Sequence, residues 1–100
     1  MDRERWSKLT FAQQMGNIGS ELARARIWQE RKDEEQRIKA LERALELIDL
    51  TLDEQRTDSR LRELTRLREV VGDWYAGPKM YQVPAGFLED YCTQFSLIQN

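Results

Sequence analysis

From Phe11 onward the apolar residues of this 100-residue chain recur at intervals of three and four, in separate blocks. That is the helical period, because side chains three and four apart share one face of a 3.6-residue turn. Both prolines, Pro78 and Pro84, come late, so nothing breaks a long helix before them.

The first block runs from Phe11 to Arg31, with the seam Phe11, Met15, Ile18, Leu22, Ala25. Thr10 and Gln13 form a T-x-x-Q capping box at its start. Trp6 and Leu9 precede it and are expected to fold back onto the bundle end. The second block runs from Asp33 to Gln55, with the seam Ile38, Leu41, Leu45, Ile48, Leu52. Extending the first seam lands on Gln29, Lys32, Gln36 and Lys39, all polar, so the two blocks are not one rod. Asp33 with Gln36 offers a fresh N-cap and box, which predicts a tight turn at residues 31–33. The third block runs from Asp58 to Ala76 and carries Leu61, Leu64, Leu67, Val70, Val71, Trp74 and Tyr75. Thr57, Asp58 and Ser59 are its cap candidates. Gly77–Pro78 stops it, since glycine takes the left-handed cap and proline cannot continue a helix. Pro84 then suits the first turn of a shorter helix bearing Phe87, Leu88, Tyr91, Cys92, Phe95 and Ile98.

Three helices of about 30 Å joined by short links run antiparallel. The expected fold is all-α: an antiparallel bundle of three long helices plus a shorter C-terminal one, four-helix-bundle-like, in a single domain over 1–100. A chain of this length buries roughly 60–65% of its unfolded surface, enough to fold alone with little margin.

Two glycines stand inside the first helix, each costing it about 1 kcal/mol relative to alanine. Ala12, Gly16, Gly19 and Ala23 fall on one strip beside the seam, which lets another backbone approach closely. Packing within the bundle is one use of it; a subunit interface is the other. Ala44, Leu47 and Leu50 widen the apolar surface of the second helix beyond its seam. Such a helix is buried from several sides, which points to self-association as a homodimer or higher oligomer.

The charged residues raise three further candidates. Arg68 projects onto the apolar side of the third helix and is expected to be a buried guanidinium needing Asp49 or Glu63 as partner. Glu42, Glu46, Asp49 and Asp53 line one narrow strip that a divalent cation would suit. With Glu30-x-x-Asp33 and Glu46-x-x-Asp49, that strip weakly echoes the acidic pairs of magnesium-dependent all-α nucleotide pyrophosphohydrolases. A solvated or internally paired acidic face accounts for it as well. Arg56, Arg60, Arg62 and Arg66 crowd the start of the third helix and would suit RNA phosphates. Interspersed Glu63, Glu69 and Asp73 argue instead for acidic partners within the fold.

Net charge is −2, so no global basic field favours nucleic acid. Twelve of the sixteen cations are arginine, the residue suited to bidentate pairing. There is no histidine, which removes the commonest general base and metal ligand. No Gly-rich phosphate loop accompanies it. The lone cysteine, Cys92, reads as a small core residue in a reducing compartment. The start "MDRERW" carries no signal-peptide pattern and no apolar run is long enough for a bilayer, so a cytoplasmic location is expected. Trp6, Trp28 and Trp74 read as core or interface anchors.

The stretches "GNIGSELARA" (16–25), "ERALELIDLTL" (42–52), "RELTRLREVVGDWY" (62–75) and "FLEDYCTQF" (87–95) resemble a family of small bacterial all-helical proteins with no assigned activity. The resemblance implies a single helical domain and carries over no catalytic residue. It departs at the first turn, where relatives are expected to read "KG[DN]" and this chain lacks the glycine. In architecture alone the chain is similar to four-helix accessory proteins of diversity-generating retroelements and of rRNA intervening sequences. The expectation is a non-enzymatic interaction or accessory protein without cofactor or metal, binding itself and a further protein partner. An RNA-associated factor is the alternative and the pyrophosphohydrolase-like enzyme the lesser one.

Overall fold

A computed structural model describes residues 2–54 and 58–76. Among the described residues the regular structure is four helices: α1 (Arg3–Ser7), α2 (Phe11–Glu30), α3 (Glu34–Glu54) and α4 (Asp58–Ala76). Arg56, Thr57, the Gly77–Pro78 stop, Pro84, and the fourth apolar block with Cys92 lie outside the described residues.

The three long helices fall within a residue of the expected boundaries, and their caps explain why. Thr10 closes the full capping box: its hydroxyl accepts from the Gln13 backbone N–H at 3.1 Å and the Gln13 side-chain Oε1 accepts from the Thr10 N–H at 2.9 Å. At the other end of α2, the Lys32 N–H donates to the Gln29 carbonyl at 3.0 Å and the Asp33 N–H to the Trp28 carbonyl at 2.9 Å. These are the two bonds of a Schellman motif, with the residue after the cap in the left-handed region. Lys32 occupies that place at φ 59°. Asp33 then caps α3, its carboxylate accepting from the Gln36 N–H at 3.1 Å. Only half of the expected box forms, because the Asp33 N–H is already committed to Trp28.

One element was not expected. Residues 3–7 form the short helix α1, capped by Asp2, whose carboxylate accepts from the Glu4 N–H at 3.1 Å. Its one buried residue is Trp6. The indole N–H donates to the Thr51 hydroxyl at 2.9 Å, and that hydroxyl donates to the Leu47 carbonyl at 2.8 Å. Leu9 packs against the same core, so both residues do fold back onto the bundle end.

Side-chain contacts fix the directions. Gln14, early in α2, meets Glu54 at the end of α3. Arg37, early in α3, meets Trp74 at the end of α4. Each consecutive pair is therefore antiparallel. The helix shared by all others is α3, which packs along both α2 and α4 and receives α1. The core is Trp6 with Met15, Ile18, Leu22 and Ala25 of α2, Ala40, Leu41, Ala44, Leu47 and Ile48 of α3, and Leu64, Leu67, Val71 and Trp74 of α4.

The seam of α3 needs correcting. Its buried residues are Arg37, Ala40, Leu41, Ala44, Leu47, Ile48 and Thr51. Ile38, Leu45 and Leu52 are half-buried on the flank. A helix with neighbours on two sides turns its smallest residues, Ala40 and Ala44, to the closest approaches and leaves larger ones at the margins.

Candidate functional site

Antiparallel packing sets the middle of α2 opposite the middle of α3. There Asn17, Ser20, Glu21 and Arg24 face Arg43, Glu46 and Leu47 across a cleft of about 320 Å³. Glu21 belongs to the buried row of α2 and is 8% exposed. One of its oxygens accepts from Arg24 Nη1 at 2.8 Å and the other from Arg43 Nε at 2.8 Å. The two arginines are about half exposed, at 58% and 47% of their side chains. One buried carboxylate thus holds two guanidiniums from different helices. Asn17 Nδ2 donates to the Gln13 carbonyl and Ser20 Oγ to the Gly16 carbonyl, so both wall residues are tied to their own helix.

Neither Glu21 nor its arginine partners stood out in the sequence. The available signal was phase: Gln14, Ile18, Glu21 and Ala25 form a row spaced 4, 3, 4 that mixes polar and apolar residues. Gln14, 4% exposed, satisfies the same pattern by donating to the Trp6 carbonyl at 2.9 Å and to Glu54 at 2.7 Å.

The expected buried arginine is in a different place. Arg68 does pair with Asp49 rather than Glu63, in a two-pronged contact at 2.6 and 3.3 Å. Its side chain is 47% exposed and that of Asp49 51%, so this is a surface bridge between α3 and α4. The reason is rotation: the face of α4 that is buried is Leu64, Leu67, Val71 and Trp74, and Arg68 flanks it. The hydrogen bond that Arg68 donates to Asp49, with the carboxylate's charge, raises the Arg68 pKa above its ordinary value. Glu63 is half-buried nearby.

The buried guanidinium is Arg37, 1% exposed. It is gripped by Glu34 through Nε at 3.1 Å and through a close Nη2 contact, and it donates Nη1 to the Trp74 carbonyl at 2.9 Å. Trp74 lies in the last turn of α4, where carbonyls lack helical partners, so Arg37 serves as a cap from the neighbouring helix. The Trp74 indole N–H completes the junction by donating to Gln29 of α2. The hydrogen bond from Arg37 holds the Glu34 carboxyl below its usual range.

The small-residue strip is partly withdrawn from solvent. Ala12 is buried; Gly16, Gly19 and Ala23 are half-buried. Among the described helices only α3 packs along α2, on the Met15–Ile18–Leu22 side. α4 meets α2 at its two ends, through Arg60 over the Phe11 ring at 4.3 Å and through Trp74 to Gln29.

The arginine cluster and the acidic strip are each divided by the fold. Arg60 is half-buried on Phe11, whereas Arg62 and Arg66 are exposed, one turn apart. Of the acids, Asp49 holds Arg68 and Asp53 holds Arg3 at 2.9 Å, while Glu42 and Glu46 are exposed. Glu30 pairs with Arg26 and Asp33 caps α3. Among the described residues no three acids, cysteines or histidines converge as a metal site. Every buried side-chain nitrogen and oxygen there has a hydrogen-bond partner. No described helix is long and apolar enough to cross a membrane. Trp6 and Trp74 are core anchors, and Trp28 is half-buried with Arg31 5.5 Å from its ring centre.

Comparisons with family models, with curated proteins and with solved structures each found no match. Residue roles are therefore carried by geometry.

Proposed function

We propose that the protein acts by binding rather than by catalysis, as a cytoplasmic helical accessory protein that assembles with a second copy of itself. The observation that carries this reading is the strip Ala12, Gly16, Gly19, Ala23, set to one side of the face that α3 covers. Small residues spaced 4, 3, 4 are self-complementary under a twofold axis, because each leaves room for the backbone of its copy. Glycines at such positions offset their helix cost only where a neighbour uses the space.

Sedimentation tests the reading directly. The wild-type chain is expected to run as a dimer or larger at tens of micromolar. Gly19→Leu should weaken assembly at least tenfold while helicity measured by circular dichroism is retained. A clean monomer would remove the proposal. So would a Gly19→Leu variant that unfolds, because the strip would then be filled from within the chain.

The exposure of Arg62 and Arg66 favours one second reading, an RNA-associated role on the outer face of α4. Affinity for RNA that falls steeply with salt, and is lost in Arg62→Glu/Arg66→Glu, is its expected signature.

A further inference from the structure

The α2–α3 cleft shares no residue with the assembly strip, and its charges are arranged for a ligand. We propose that it binds a small molecule through a single carboxylate, taken by the outward edges of Arg24 and Arg43.

The argument starts from donors. A guanidinium offers five N–H groups in a planar fork. Glu21 takes Nη1 of Arg24 and Nε of Arg43. The Nε/Nη2 edge of Arg24 and the Nη1/Nη2 edge of Arg43 remain, and both side chains reach solvent. A planar carboxylate matches such an edge bidentately.

Preorganisation is the second point. Long arginine side chains on a surface normally lose rotamer freedom on binding an anion, which weakens it. Here the shared buried carboxylate has already drawn both across the helix interface. Glu21 cannot compete further for the ligand's place, since each of its oxygens is engaged and it sits 8% exposed in the helix packing.

Charge and size select the ligand. Two guanidiniums, Arg24 and Arg43, share the cleft wall with two carboxylates, Glu21 and Glu46, so its formal charge is zero. A singly charged carboxylate disturbs that balance less than a doubly charged phosphate does. The volume of about 320 Å³ is at the small end of ligand clefts. Leu47, 7% exposed, offers the one apolar contact, enough for a short carbon chain.

The test is a titration of the full chain, followed by the arginine Nε–Hε resonances in NMR. Lactate is the probe, with chloride at equal ionic strength and inorganic phosphate as comparisons. Saturable shifts of Arg24 and Arg43 in the millimolar range are expected with lactate. Arg24→Met and Arg43→Met keep the aliphatic stem and should each weaken binding at least tenfold with helicity unchanged. Shifts that stay linear, that chloride reproduces, or that survive both substitutions would overturn the proposal. Tighter binding of phosphate than of lactate would overturn the choice of ligand.

Discussion

Four polar or charged side chains, Gln14, Glu21, Arg37 and Thr51, are buried among the apolar residues of the core. Arg37 enters the core with Glu34 as its anion and the Trp74 carbonyl as its neutral acceptor. Because Glu34 is ionised more readily in the folded protein than in the unfolded chain, the unfolded state binds more protons as pH falls through the ordinary glutamate value of 4.5. The stabilisation is complete above that value and is lost as pH drops through the lower native one. Glu34 has 63% of its side chain in water, so solvent screening limits the effect to a few tenths of a kcal/mol. Urea unfolding at pH 3 to 6 should show Glu34→Gln with a flatter acid limb than the wild type. The Trp6 indole makes a different contribution. Trp6→Phe keeps most of the ring volume but removes the donor to Thr51, and should lower stability by about 1–2 kcal/mol with an unchanged m-value. A loss below a few tenths would show that the hydrogen bond adds little to packing.

At the scale of elements, helix ends were the most legible feature. Thr10–Gln13 and Asp33 are local signals, and local bonds honour them. The α2–α3 turn forms without glycine or proline because the Schellman bonds hold it, while Lys32 carries the left-handed strain at φ 59°. That conformation costs a residue with a Cβ about 1–2 kcal/mol, partly offset by the greater unfolded freedom of glycine. Lys32→Gly should therefore stabilise the protein by about 0.5–1 kcal/mol, visible as a higher urea midpoint. Faces were less legible than ends. The Ile38–Leu45–Leu52 row looks like a seam by hydrophobicity alone. Leu41 and Ile48 of the expected seam are buried, but the buried face continues through Arg37, Ala40, Ala44, Leu47 and Thr51, because α3 has neighbours on two sides. Arg68 misleads in the same way: a shift of one flank on α4 separates a buried charge from an exposed one. The short α1 carries no periodicity that a five-residue helix could display.

For the whole molecule, α3 is the hub, and its alanines set how near α2 and α4 can come. Ala44 is fully buried. Ala44→Leu should overpack the bundle and cost about 1–3 kcal/mol, lowering Tm by several degrees for a domain of this size. Leu50→Ala, at a half-buried flank, should cost less. If the strip on α2 joins two copies, Tm should also rise with protein concentration, since assembly stabilises only the folded state. Scanning calorimetry over a hundredfold concentration range checks this. The charges divide along the same architecture. The fold directs Asp49 to Arg68 and Asp53 to Arg3, so an acidic strip that is continuous along the helix is not continuous in use.

By itself the sequence determined that the chain is helical, where its long helices begin and end, and that they run back and forth. Those outcomes depend on interactions within one or two turns, which residue spacing encodes. Only the tertiary structure decided which flank of each helix is buried, that Arg37 rather than Arg68 enters the core, and that Glu21 joins Arg24 to Arg43. Those depend on the rotation and separation of packed helices, quantities set by all the contacts at once.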